Sequence, residues 1–194
     1  KKIISEIMIM NVYDFDNTIY SGDSTADFIF WCIKKTPFLS LKLLPGAAAF
    51  GGYMLKQCNK TYFKEKLYRF LSAVPNPVQS AEMFWEEYDE NIKDWYLEQK
   101  KEDDVIISAS PEFLLKPICK KLGIKYLIAS RVDPSTGMYL GENCYGEEKV
   151  RRFKKQFDTT PEEFYSDSLS DAPMANIAEK AFLVDDDILI PWEG

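Results

Sequence analysis

The sequence predicts an α/β fold: a doubly wound, Rossmann-like parallel sheet core with an inserted all-helical cap segment. Three observations lead there. Short apolar runs of strand length alternate with stretches of helical length through the second half of the chain, the pattern of a parallel sheet covered on both faces. One more apolar run, Ile7 to Val12, stands far upstream and is broken only by Asn11. Between it and the next strand, residues 20–100 read as helix throughout. The core is therefore assigned to residues 1–19 and 101–194, and the insertion to residues 20–100.

The first strand runs into Asp14-Phe15-Asp16-Asn17-Thr18. Ile, Val and Tyr favour a pleated backbone, and an unbroken apolar run suits a strand buried on both faces. Asp14 then sits at the carboxyl end of that strand, the edge where open α/β sheets bind ligands, with Asp16 just beyond. Two acids so close repel unless a cation or a shared proton relieves them. Alone, the pair fits a strand followed by an Asx turn equally well.

Ser21-Gly22-Asp23-Ser24 is a turn that can cap a helix, with Asp23 or Ser24 as N-cap, and residues 24–35 have helical length. Leu43 to Leu55 carries no charge. A membrane span needs about 18 or more apolar residues, so this run is too short, and Pro45, Gly51 and Gly52 interrupt it. The expectation is a buried or helix-packing segment, with a pocket wall or a contact surface as the alternative. Residues 60–72, with Phe63, Leu67, Phe70 and Leu71, form an amphipathic pattern that Pro75 and Pro77 break. Residues 78–99 form another helix, with Met83, Phe84, Tyr88, Ile92, Trp95 and Tyr96 inward at three- and four-residue steps.

The core resumes with a short strand, Val105 to Ile107, closed by Ser108. A helix follows from Pro111 to Leu122, ending at Gly123 as C-cap. Tyr126–Ser130 is a strand, and residues 133–140 read as a turn into a small hairpin. A basic helix covers residues 147–157, and Glu163–Asp167 is a strand ending in an acid. Asp171 to Lys180 reads as a helix, Ala181–Val184 as the last strand, and Asp185-Asp186-Asp187 as a solvated turn.

Composition bounds the chemistry. The 194 residues are 46% hydrophobic and 28% charged, ordinary for a globular protein able to bury a sizeable core. The net charge of −7 argues against nucleic-acid binding. There is no histidine, which excludes Ser-His-Asp and Cys-His catalysis, His-ligated zinc and His acid–base chemistry. Four scattered cysteines, with no Cys-x-x-Cys and no visible signal peptide, suit free thiols in a cytoplasmic protein. No stable membrane insertion is expected, and the oligomeric state is left open.

Three strands thus end in polar residues that a parallel sheet brings to one edge: Asp14 and Asp16, Ser108, and Asp167 with Asp171. Lys149, at the start of a helix, can reach the same edge. Alone, each has a plain structural reading: Ser108 and Ser110 as caps, Lys149 as one cation of a basic face, Asp167 and Asp171 as a turn and a cap. Their joint appearance in order fits phosphoryl transfer through an aspartyl-phosphate. Asp14 would attack phosphorus, and Asp16 would protonate the leaving alkoxide and then deprotonate water. Mg²⁺ between Asp14, Asp167 and the substrate would cancel charge. Lys149 and Ser108 would hold phosphate oxygens, aided by backbone N–H groups at the following helix start.

Asp14-Phe15-Asp16-Asn17-Thr18 resembles the first motif, Asp-x-Asp-x-Thr, of the haloacid dehalogenase superfamily, in its phosphoserine phosphatase-like branch. Ser108-Ala109-Ser110-Pro111, Gly146-Glu147-Glu148-Lys149-Val150 and Ser166-Asp167-Ser168-Leu169-Ser170-Asp171 resemble the second, third and fourth motifs. The resemblance implies catalytic Asp14 and Asp16, phosphate binding by Ser108, Ala109 and Lys149, and Mg²⁺ held by Asp14, Asp167 and the backbone carbonyl of Asp16. Thr18 and Asp171 would support them. One departure is Ser166, where close family members often have Gly. The implied reaction is Mg²⁺-dependent hydrolysis of a small phosphate ester. The alternatives are a phosphotransferase, or a catalytically weak Mg²⁺-binding regulatory protein. Asp23, Arg69 and Tyr62 are the polar candidates for substrate selection, and the apolar richness of residues 28–55 favours a less polar leaving group.

Overall fold

The computed structural model describes residues 10–57 and 60–193. The expected strand residues 7–9 and Cys58 lie outside the described residues. Six strands form one sheet: β1 (Asn11–Tyr13), β2 (Val105–Pro111), β3 (Tyr126–Ser130), β4 (Glu163–Ser166), β5 (Lys180–Asp185) and β6 (Ile188–Pro191), in the order β3-β2-β1-β4-β5-β6. All pairs are parallel except the β5–β6 hairpin. Val12 lies opposite both Val105 and Phe164, so β1 is central. The chain winds one way through β2 and β3 and the other way through β4 and β5, and the order reverses at the carboxyl end of β1, where a crevice opens.

Each face of the sheet carries apolar side chains because strand residues alternate. On one face Tyr13 stacks on Tyr165 at 4.7 Å and Tyr165 on Phe182 at 5.0 Å. On the other, Val12, Val105, Ile107 and Phe164 pack with Phe153 and Met174. Three helices of the second half flank the sheet: α6 (Glu112–Leu122), α7 (Glu147–Gln156) and α8 (Ala172–Ala175). Gly123 ends α6 at φ +74°, a conformation that costs glycine little.

Between β1 and β2 the chain is helical: α1 (Ser24–Lys35), α2 (Leu44–Met54), α3 (Lys60–Tyr68), α4 (Pro77–Tyr88) and α5 (Asp94–Gln99), with 3₁₀ turns at Pro37–Leu43, Arg69–Ala73 and Asp89–Asn91. In sequence, helices thus replace a simple crossover. In space, they share one apolar cluster with the sheet: Phe28, Trp31, Phe84 and Trp85 pack with Phe15, Tyr20, Leu114 and Ile118. The Trp85 indole N–H donates to the Leu114 carbonyl at 2.6 Å. A second attachment comes from Gly137, where an added Cβ would lie 2.1 Å from the Tyr68 carbonyl oxygen.

Several local expectations change. The uncharged stretch is not buried: of Leu43–Leu55 only Gly46 and Ala49 are, while Leu44, Phe50, Met54 and Leu55 are exposed. It packs through its small residues, and its large ones face out. Met83 is exposed too. The helix expected over 78–99 breaks because Ile92 pairs with Tyr20 in an isolated bridge. Residues 138–140 form no strand, only a single bridge, Val132 to Tyr139. The helix expected over 171–180 stops at Ala175, because the N–H groups of Glu179 and Lys180 already bond to Pro161 and Glu162 on the way into β5. β6 is an unexpected addition, joined by a tight turn at Asp186 with φ +54°. No helix of the described residues is long and apolar enough to cross a membrane.

Candidate active site

The loop after β1 sets the site. The Asp14 N–H donates to the Tyr165 carbonyl at 2.8 Å, the last rung of the ladder. Phe15 then turns into the core against Tyr20 and Trp85, so Asp14 and Asp16, two residues apart, emerge on the other side. Asn17 has φ +55°, and its N–H bonds to the Gly22 carbonyl. The loop is thus closed by backbone bonding, with Asp14 and Asp16 on its cleft side.

Asp14 accepts a hydrogen bond from Lys149 Nζ at 2.8 Å. The same ammonium donates to Asp171 at 2.6 Å. Lys149 is only 2% exposed, so the pair is desolvated. Ser166 explains its own presence: its hydroxyl donates to Asp171 at 2.8 Å and accepts the Ser168 N–H at 3.1 Å. Asp16 is tied on both oxygens, to the Ser24 N–H at the start of α1 at 2.7 Å and to the Ser110 hydroxyl at 2.5 Å. Ser110 in turn shares a 3.1 Å bond with Thr25. Ser108 accepts the Ser110 N–H at 3.0 Å. Thr18 accepts the Asp167 N–H at 2.9 Å and stands 3.4 Å from its carboxylate.

Asp14, Asp16, Ser108, Ala109, Lys149, Asp167 and Asp171 line one cleft of about 160 Å³, with Asp23 at its rim. Thr18 is fully buried behind it. Arg69 does not belong there: with Tyr62 it lines a separate groove beside Pro45 and Gly52. Sequence reasoning gave Ser110 no role beyond a cap and missed Lys64, which also lines the cleft.

The electrostatics follow from burial. Five carboxyl groups face two lysines in the cleft, a formal excess of three negative charges when every acid is ionised. Burial pushes the Asp14 carboxyl up to about 7; Lys149 opposes this, and Asp171 and Asp16 add to it. Asp16 is raised by burial and then by Asp23, against the bonds from Ser110 and Ser24. Asp167 is raised by burial and by Asp171. Burial works against the Lys149 ammonium, but Asp14 and Asp171 outweigh it and hold its pKa above the ordinary lysine value.

Among the described residues, no three Asp, Glu, His or Cys side chains converge as a ready metal cage. Mg²⁺ would need no such cage, because it takes one or two carboxylates and fills its shell with other oxygens. Lys149 engages only one oxygen of Asp14. The all-oxygen donors, the surplus negative charge and the buried, unpartnered Oδ1 of Asp171 fit a hard cation nearby.

Similar proteins share this fold. A Bordetella pertussis protein of unknown function superposes with a TM-score of 0.71 at 18% identity, covering 90% of this chain and 89% of that one. A phosphoserine phosphohydrolase-like protein from Francisella tularensis gives 0.60 at 18% identity, over 91% and 87%. At these identities the likeness is one of fold. A probable phosphatase from Mycobacterium tuberculosis is 36% identical over 93 residues, 44% of this chain and 32% of that protein, so the match spans about a third of the relative's length. The sequence model of the haloacid dehalogenase-like hydrolases matches residues 12–176, from β1 through α8. A match that takes in every strand bearing the clustered acids and Lys149 allows one conclusion: the chain belongs to the haloacid dehalogenase-like hydrolase family.

Proposed function

We propose that this protein is a Mg²⁺-dependent phosphomonoester hydrolase acting through a phosphoryl intermediate on Asp14, with a small phosphorylated metabolite as substrate. The observation that carries the reading is the buried Asp14–Lys149–Asp171 chain opposite an Asp16 held by Ser24 and Ser110. One acid lies beside a cation able to receive an anionic group. The other is fixed at a distance in a setting that favours its protonated form.

In this reading Asp14 attacks phosphorus and Asp16 gives its proton to the departing alkoxide. Asp16 then takes a proton from the water that attacks the Asp14 phosphoryl group. Lys149, the Ser108 hydroxyl and the backbone N–H of Ala109 hold phosphate oxygens. Mg²⁺ would be held by Asp14, Asp167 and the Asp16 carbonyl, and when bound it neutralises phosphate charge. Asp171 and Ser166 position Lys149, and Thr18 positions Asp167. The helical segment of residues 20–100 acts as a cap over the cleft, with Asp23 and Lys64 at the boundary; Arg69 is not part of that boundary. The free, buried Cys32, Cys119 and Cys144 support a cytoplasmic setting.

The test is hydrolysis of p-nitrophenyl phosphate with and without Mg²⁺, for wild type and Asp14→Asn. Mg²⁺-dependent turnover lost in the variant supports the reading. Turnover that survives in Asp14→Asn refutes the nucleophile. No turnover alongside intact Mg²⁺ binding favours a regulatory protein.

A further inference from the structure

A second pocket opens off the acid cleft. It measures about 290 Å³, and its walls are Ile29 and Phe30 of α1, Leu43, and Phe63, Leu67 and Tyr68 of α3. It meets the acid cleft at Asp23 and Lys64, which line both. Two further polar residues line it, Tyr68 and Thr25; Thr25 bonds to Ser110, so the two cavities flank the same α1 N-terminus that holds Asp16.

The walls are built for apolar contact. Phe30 is 67% exposed, which leaves its ring open for contact at the pocket wall. Phe63 is braced from behind by Phe50 at 5.4 Å and Tyr53 at 5.9 Å. Gly46 lets α2 approach α3 closely, since a Cβ there would lie 2.9 Å from Leu67 Cα. The exposed residues Phe38, Leu41 and Leu44 continue the apolar surface along the chain on both sides of Leu43.

The charged groups at the junction are few: Asp23 and Lys64. Asp23 already serves as the α1 N-cap, accepting the Ala26 N–H at 2.9 Å. Arg69, the other cation considered for a carboxylate, lines a different groove. What remains is an apolar chamber reached past one acid and one lysine.

We propose that this pocket is the leaving-group subsite, and that the substrate is a phosphomonoester of an apolar alcohol. The phosphate lies in the acid cleft and the hydrocarbon or aryl body lies against Ile29, Phe30, Phe63 and Leu67. The inference rests on the phosphomonoesterase reading. The bond broken is that between phosphorus and the ester oxygen; that oxygen takes its proton from Asp16 and departs as the free alcohol, and water supplies the hydroxyl that leaves with phosphate. The apolar body belongs either to a soluble ester or to a lipid.

The test is an n-alkyl phosphate series from ethyl to hexyl, with phosphoserine alongside, read as kcat/KM. The matching alkylphosphonates are titrated by calorimetry as non-hydrolysable probes. Full burial of each methylene predicts a rise of about fourfold per carbon, up to about two-hundredfold from ethyl to hexyl. Phe30→Ser and Phe63→Ala each cut the hexyl-to-ethyl ratio at least about tenfold, the loss of two or more methylene contacts. Phe30 is too exposed for its variant to threaten folding. A flat series, or phosphoserine preferred over hexyl phosphate, overturns the subsite and leaves the phosphatase reading standing. No turnover, with phosphonate affinity that rises with chain length and falls in the variants, keeps the subsite and removes the phosphatase reading. No turnover and flat affinity remove both. With the subsite upheld, hydrolysis of phosphatidic acid in phosphatidylcholine vesicles assigns the apolar body to a lipid, and hydrolysis of monomeric esters alone assigns it to a soluble one.

Discussion

Replacing Lys149 with Met tests the charge balance at the centre of the site. The side chain is 2% exposed and donates to Asp14 at 2.8 Å and to Asp171 at 2.6 Å. Met fills similar volume, so the loss is electrostatic. Leaving buried carboxylates without their cation costs about 3–5 kcal/mol. The cost depends on pH, and its sign follows from Asp14. An acid with a raised folded pKa keeps its proton longer folded than unfolded, so stability falls as pH climbs between the two values. In wild type that window closes near 7. In Lys149→Met the chief force opposing burial is gone, and the window extends upward. The gap between the two proteins is therefore smallest below pH 7 and widens above it by about 1.4 kcal/mol per pH unit, about 2 kcal/mol by pH 8.5. For a chain of this size the full cost lowers Tm by roughly 6–20 °C. Urea unfolding followed by tryptophan fluorescence at pH 6.0, 7.0 and 8.5 measures it. Adding Asp171→Asn should recover about 1–3 kcal/mol by removing one orphaned acid. A gap that is constant with pH, or below about 1 kcal/mol throughout, would refute the reasoning.

Ser110→Ala removes a hydrogen bond to a carboxylate worth about 1.5–3 kcal/mol, so kcat should fall roughly 10- to 100-fold with KM little changed; an unchanged kcat would show that Asp16 needs no such tether. Gly137→Ala combines φ +74° with a clash on the Tyr68 carbonyl and should cost at least about 2 kcal/mol by thermal unfolding. A neutral effect would mean that the turn does not brace the helical segment. Mg²⁺ binding should weaken about tenfold from pH 8 to pH 6, because Asp14 goes from about nine-tenths to one-tenth ionised. Calorimetry at pH 6 in two buffers of different ionisation enthalpy should show about one proton released, and equal affinities without release would count against Asp14 as a ligand.

What the sequence revealed and what it hid follow from the range of the interactions. Strand ends were legible because apolar runs stop abruptly at Asp14, Ser108 and Ser166, and a parallel sheet brings such ends together. Lys149 was legible only through its order among the acids, since nothing local separates it from the other cations of α7. Lys93 shows the limit: it is buried and donates to the carbonyls of Asn17 and Asp186, joining two loops that no spacing connects. For Leu43–Leu55 the helix-packing expectation holds, through Gly46 against α3, while burial does not follow, because lack of charge does not distinguish a buried face from an exposed apolar one: Leu44, Phe50, Met54 and Leu55 are exposed. Arg69 could not be placed from the sequence, because helical periodicity fixes which residues share a face, not which cavity that face meets; it lines a groove apart from the acid cleft. β6 escaped notice because it is a four-residue edge strand that follows three acids and ends in Pro191, and an edge strand is one of the sheet positions that tolerate proline.

The most direct measurement is acid-quenched peptide mapping of wild type mixed with a turned-over phosphate ester and Mg²⁺. The account predicts a phosphoryl group on the peptide carrying Asp14, absent from Asp14→Asn. Turnover with no phosphoryl group on Asp14 at any quench time, together with a variant that still hydrolyses the ester, would contradict it.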